Sequence, residues 1–202
     1  MEFEHQDQSE KHQNDATQEP QRGGKPTRAR QELMDWLESI VVSVVCVVVI
    51  FSFFVRIMGV VGQSMEPTLH EGDRLLIQEL FYEPKPGDVV ICNKPNFSGK
   101  PFVKRVIALE GQTVDIDFET SQVYVDGELL EEDYLGSSTL AKPDDQMFPL
   151  TVPEGELFVM GDNRQHSTDS RSVEIGTVDE RYVVGRALLR IFPLDKIGTL
   201  NK

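Results

Sequence analysis

Three stretches of this sequence carry side chains whose types and spacing suit hydrolytic chemistry. The first is Gly62-Gln63-Ser64-Met65-Glu66-Pro67-Thr68-Leu69, followed by Gly72-Asp73. A serine between a glycine and a proline turn sits on backbone that can approach another chain, as a nucleophile must. A serine in an S-x-x-P turn can equally satisfy nothing more than local backbone groups. The second stretch runs from Phe102 to Leu109. Period-two alternation puts Lys104 on the same face as Phe102, Val106 and Ala108. Apolar surroundings disfavour an ammonium, lower its pKa and let it act as a neutral base. The plainer reading is an edge-strand lysine that discourages aggregation. The third stretch, Met160 to Arg171, packs carboxylates, hydroxyls and guanidiniums into a glycine-led loop after a strand. It reads as an ion-paired polar turn or as the scaffold of an active site.

Short β-rich runs must position these groups: 74–77, 88–91, 102–109, 113–118, 122–125, 157–160, 182–184 and 187–192. Turn signals such as Pro86-Gly87-Asp88, Asp126-Gly127 and Pro153-Glu154-Gly155 separate them. Many short strands without alternating helices predict a mainly β domain, an antiparallel barrel or sandwich, over residues 59–202. Residues 110–157 form a small inserted hairpin region within it, including the acidic segment 128–133, with no catalytic role assigned.

Ahead of that domain, Ile40–Val55 contains no charge, glycine or proline. At about 1.5 Å rise per residue this run falls short of a roughly 30 Å hydrocarbon core. Extending it through Trp36 and Ile57 closes the gap, so residues 36–58 are expected to be one transmembrane signal-anchor helix. Arg22, Lys25, Arg28 and Arg30 precede the run, and only Arg56 and Arg74 follow it closely. That asymmetry predicts a cytoplasmic N-terminus and a translocated β domain. Residues 1–35 are too polar to bury a core and are expected to be a disordered cytoplasmic tail.

Composition narrows the function. With 34 acidic against 20 basic residues, the formal net charge of −14 argues against a nucleic-acid partner. Two cysteines exclude a disulfide scaffold and a multi-cysteine zinc site. No metal or other cofactor is expected. Cys46 and Cys92 fall in different regions and should not pair, Cys92 being structural.

Taken together, the motifs resemble the type I signal peptidases, membrane-bound serine-lysine leader peptidases, in their compact Gram-positive-like form. They follow in order: an N-terminal anchor, G-x-S-M-x-P-T-L at 62–69, G-D-R at 72–74, P-G-D-V-V at 86–90, K-R-V-I-A at 104–108 and G-D-N-R-x-x-S-x-D-S-R at 161–171. The resemblance implies that Ser64 is the nucleophile and Lys104 the general base. Ser167 would orient the lysine, Asp169, Arg171 and Asp162 would brace the polar loop, and Gly161 would keep bulk away. Val60, Val61, Gly62, Met65, Phe102 and Val103 would line pockets for small residues at −1 and −3 of a signal peptide. Some relatives carry a serine where this chain has Gly62, so the second oxyanion donor is unassigned. Implied partners are exported preproteins, the lipid bilayer and the secretion translocon. The implied location is the cell membrane, single-pass, with the catalytic domain on its extracytoplasmic face.

Two other readings remain open from the residues. His166, or His70, could serve Ser64 as base in a Ser-His hydrolase, since spacing alone does not choose between bases. Alternatively, the chain could be a membrane-anchored β module that binds without turnover.

Overall fold

The computed structural model describes residues 28–95, 97, 99–136 and 147–200, and leaves the side chains of residues 50–55 outside that description. The chain divides at Val45/Cys46 into two compact units. Helix α1, Arg28–Phe54, makes up the described part of the first unit and enters the second. It starts before the expected Trp36 and stops short of residue 58, because Val55–Gly59 is a strand. Among the described residues no helix is long and apolar enough to cross a membrane. Glu32, Asp35 and Glu38 lie in the helix ahead of the valine run. The expected tail lies, up to residue 27, outside the described residues.

The second unit is mainly β. Its strands are β1 (Val55–Gly59), β2 (Arg74–Gln78), β3 (Val89–Cys92), β4 (Phe102–Ala108), β5 (Thr113–Asp117), β6 (Gln122–Val125), β7 (Glu128–Leu129), β8 (Leu150–Thr151), β9 (Glu156–Met160), β10 (Val178–Asp179), β11 (Val183–Phe192) and β12 (Gly198–Thr199). All pairs are antiparallel. The large sheet has the order β1-β2-β11-β3-β4-β9-β10, with β12 on β11, and β7-β6-β5-β8 form a second sheet. The large sheet does not close on itself among the described residues: β1 and β10 are its edges, so it is an open sheet rather than a full barrel. Register shifts in β11 and between Val106 and Ala108 mark bulges, which bend strands and raise local twist.

The runs expected at 182–184 and 187–192 belong to one strand, β11. Gly185 joins them where the chain presses against β2, because a Cβ there would strike the Gln78 carbonyl. Period-two burial builds three apolar clusters. Leu75, Ile77, Val89 and Ile91 gather with Met65 and Leu69; Val90, Cys92 and Val106 with Leu157 and Val159; Val114, Ile116 and Val123 with Phe158. The first cluster sits under the turn that carries Ser64. Burying each large aliphatic side chain there contributes about 1.5–3 kcal/mol.

Candidate active site

Ser64 lies on the connection from β1 to β2. Val60 N–H donates to the Asp73 carbonyl at 2.8 Å, and Gly72 N–H to the Val60 carbonyl at 3.0 Å, closing the base of the loop. Inside it, Glu66 N–H donates to Gln63 O at 3.1 Å and Leu69 N–H to Met65 O at 2.9 Å. Fully buried Met65 and Leu69 pin the turn into the core, leaving Ser64 half-buried above them. Gly62 has φ +85°, a conformation that costs an L-residue roughly 1–2 kcal/mol.

Lys104 comes from the middle of the large sheet, where β4 pairs with β3 in the register Lys104↔Val90. It is only 4% exposed, and its Nζ donates to Ser64 Oγ at 2.8 Å. Burial pushes its pKa down to about 8; Asp169, Cys92 and Asp162 pull the other way, while Arg171 helps to lower it. A lysine so placed reaches its neutral, proton-accepting form far below its ordinary range.

The loop after β9 holds this pair in place. Its return is tied down by Ser170, whose N–H donates to Val159 O at 3.0 Å and whose Oγ accepts from Val159 N–H at 3.0 Å. Gly161 N–H donates to Asp169 Oδ2 at 2.9 Å, and Arg171 clasps both oxygens of the same carboxylate at 2.8 and 2.9 Å. Burial alone would raise the Asp169 pKa, but the Arg171 guanidinium and the Gly161 N–H hold it below the usual carboxylate range. A Cβ on Gly161 would collide with the Ser64 carbonyl oxygen and the Ser167 side chain. Asn163 spans to the Ser64 turn: its N–H donates to Ser64 O at 3.0 Å and its Nδ2 to Gln63 O at 3.1 Å.

The structure therefore gathers Ser64, Lys104, Gly161, Asp162, Asp169 and Arg171. Ser167 lies beside Gly161 with its Oγ buried, and its side chain helps to lower the Asp169 pKa. The bond to Lys104 that the family resemblance implies is not among those formed. Val60 and Met65 are core residues, Val61 is 81% exposed, and Phe102 packs edge-on against Phe97 at 5.1 Å between ring centroids. Val103 packs partly buried against the first cluster. His166 is exposed and His70 half-buried; neither hydrogen-bonds Ser64 among the described residues. Cys92 is buried, and burial pushes its thiol up to about 12, which makes it inert. Among the described residues no cluster of His, Cys, Asp or Glu could hold a metal ion.

Sequence reasoning passed over Arg105, Thr68, Asn163 and Arg164. Arg105 Nε and Nη2 pair with both oxygens of Asp162, Thr68 Oγ1 donates to the same carboxylate at 2.5 Å, and Arg105 Nη1 donates to Gly87 O at 2.8 Å. All four lie inside the quoted motifs. Their partners are distant in sequence, so no local spacing marks them.

An open antiparallel β domain with a half-buried serine hydrogen-bonded by a buried lysine has the build of a hydrolase. Residues 33–192 match the family described as signal peptidase, peptidase S26. The chain belongs to that family. A signal peptidase I of Bacillus licheniformis is 36% identical, over 86% of this chain and 96% of its own length. A probable signal peptidase I-1 of Synechocystis sp. is 38% identical, over 69% of this chain and 72% of its own. A crystal structure of a signal peptidase I from Enterococcus faecalis superposes with a TM-score of 0.43 at 35% identity, over 52% of this chain and 97% of that one.

Proposed function

We propose that this protein is a membrane-anchored serine endopeptidase that removes N-terminal signal peptides from exported preproteins, with Ser64 as nucleophile and Lys104 as general base. The 2.8 Å bond between Lys104 Nζ and Ser64 Oγ carries this reading. Family membership and the names of the relatives support the substrate class. The anchor rests on the uncharged Ile40–Val55 run of the sequence.

The steps follow from the groups present. Neutral Lys104 accepts the Ser64 proton as Oγ attacks the scissile carbonyl. The Ser64 N–H is one donor for the resulting oxyanion; Gly62 brings no hydroxyl as a second. Collapse breaks the C–N bond, the departing amine takes the proton from Lys104, and an ester joins the signal peptide to Ser64. Lys104 then takes a proton from water, whose oxygen attacks the ester carbonyl; the C–Oγ bond breaks, Lys104 returns the proton to Ser64 Oγ, and the signal peptide leaves as its carboxylic acid. Asp169 and Arg171 keep the loop rigid during both halves, and Ser167 is the nearest hydroxyl to Gly161 available to orient the lysine. Exposed Val61 and half-buried Phe102 and Val103 are apolar surfaces that small side chains at −1 and −3 would meet.

The test is cleavage of a preprotein by detergent-solubilised wild type, Ser64→Ala and Lys104→Ala, with mass spectrometry of the products. The expected result is a cut after a small-x-small site by wild type alone. Cleavage that persists in Lys104→Ala would move the base to His166 or His70. A folded wild type that binds without cutting would make the chain a binding module.

A further inference from the structure

Between β7 and residue 136 the chain crosses to the catalytic loops and touches them at three places. Glu132 receives both terminal nitrogens of Arg164, Nη1 at 2.9 Å and Nη2 closer still. Arg164 is fully buried, and its Nε donates to the Gly161 carbonyl at 3.1 Å. Tyr134 lies over Arg105, the guanidinium carbon 3.9 Å from the ring centroid, and its hydroxyl donates to Glu132 at 2.8 Å. Gly136 packs on the nucleophile turn: a Cβ there would sit 3.0 Å from Pro67 Cδ.

The geometry points to residues 132–136 as a positioning strap that sets the distance between the Ser64 turn and the Lys104 strand. Arg105 follows Lys104 directly on β4, Arg164 follows Asn163, which binds the Ser64 carbonyl, and Pro67 lies within the Ser64 turn. The strap holds all three elements at once. The apolar cluster of Val114, Ile116 and Val123 joins the smaller sheet to β4 and β9, and the strap adds the contact to the Ser64 turn. A stacked guanidinium and a buried two-point ion pair are directional, so they fix orientation as well as proximity. Behind the turn lies a cavity of about 340 Å³, lined by Pro67, Thr68, Tyr134, Leu135, Arg190 and Leu200. Truncating Tyr134 would enlarge it and free the turn to shift. The inference rests on Ser64 and Lys104 being the reacting pair.

The test compares wild type with Tyr134→Ala, Tyr134→Phe, Glu132→Ala and, as a control on the exposed neighbour, Glu131→Gln, all in the full chain in detergent. Preprotein cleavage gives kcat and KM; hydrogen exchange follows the amides of Glu66 and Asn163, with Ile91 on the central strand β3 as an internal reference. Tyr134→Ala and Glu132→Ala should lower kcat about tenfold or more, since small misplacements of reacting groups cost rate steeply. KM should stay within about twofold, and Tyr134→Phe, which keeps the stacking face, should recover most of kcat. Exchange at Glu66 and Asn163 should quicken while Ile91 stays protected. Wild-type kcat and exchange in both alanine variants would overturn the strap. So would loss of protection at Ile91 in step with the loops, which would mark a general loss of stability. If wild type does not cleave, the peptidase reading fails while the exchange comparison still decides the strap.

Discussion

Arg105 and Asp162 face each other as a two-point ion pair, Nε to Oδ1 at 2.9 Å and Nη2 to Oδ2 at 2.6 Å, with side chains 2% and 0% exposed. The pair links the strand of the proposed base to the loop that braces the proposed nucleophile. Removing one partner of such a pair leaves a buried charge uncompensated, at a cost of about 3–5 kcal/mol. Asp162→Asn keeps shape and removes charge, so the chain should lose stability on that scale in denaturant titration. Arg105→Lys should not rescue the fold, because an ammonium cannot reproduce both the two-point grip and the stacking on Tyr134.

Thr68 completes the same carboxylate through its 2.5 Å hydroxyl bond. Thr68→Val has nearly the same volume and leaves one lone-pair site of Asp162 unfilled. A hydrogen bond to a charged group contributes about 1.5–3 kcal/mol. The variant should unfold earlier by that amount, and combining it with Asp162→Asn should add much less than the sum. Full additivity would show that the two side chains do not share an interaction.

Gly161 is constrained by space, since its φ is not in the left-handed region. A methyl group would have to displace the Ser64 carbonyl and the Ser167 side chain together. Overpacking of this kind costs about 1–3 kcal/mol. The larger effect should fall on rate, because the displaced atom belongs to the proposed nucleophile. Gly161→Ala should lose on the order of a hundredfold in cleavage, while circular dichroism shows a folded domain. Near-normal cleavage would mean that the Ser64 turn gives way freely.

Local patterns made some of this legible and left the rest hidden. Lys104 could be placed on the face of Phe102 and Val106 because period two holds over that part of β4; Ala108 leaves that face, since the bulge after Val106 turns it into the cluster of Ile107. Gly185-Arg186 reads as punctuation, yet β11 runs through it, because a close approach to Gln78 needs a glycine without needing a turn. Val60 and Met65 flank Ser64 in sequence, which shows their neighbourhood but not their depth. In the structure they are the anchors beneath it, since a turn that lifts one side chain must bury others. The grip of Glu132 on Arg164 and of Tyr134 on Arg105 joins segments about thirty residues apart. No periodicity or spacing marks such a contact.

Lys104 ties rate and stability to pH in the same direction. Burial holds its pKa near 8, against about 10.4 in an unfolded chain. Below about pH 8 both states carry the proton, and the folded state bears the full cost of a buried ammonium. Between about 8 and 10.4 the unfolded state binds more protons, so this residue makes stability rise with pH across that window. Lys104→Met should flatten that rise. Single-turnover cleavage should climb about tenfold per pH unit below the inflection and level off above it, following the neutral amine. Asp169 favours the ammonium, so Asp169→Asn should move the inflection to lower pH even as it weakens the loop. An inflection near 6.5 that Asp169→Asn leaves in place would assign the proton transfer to a histidine instead.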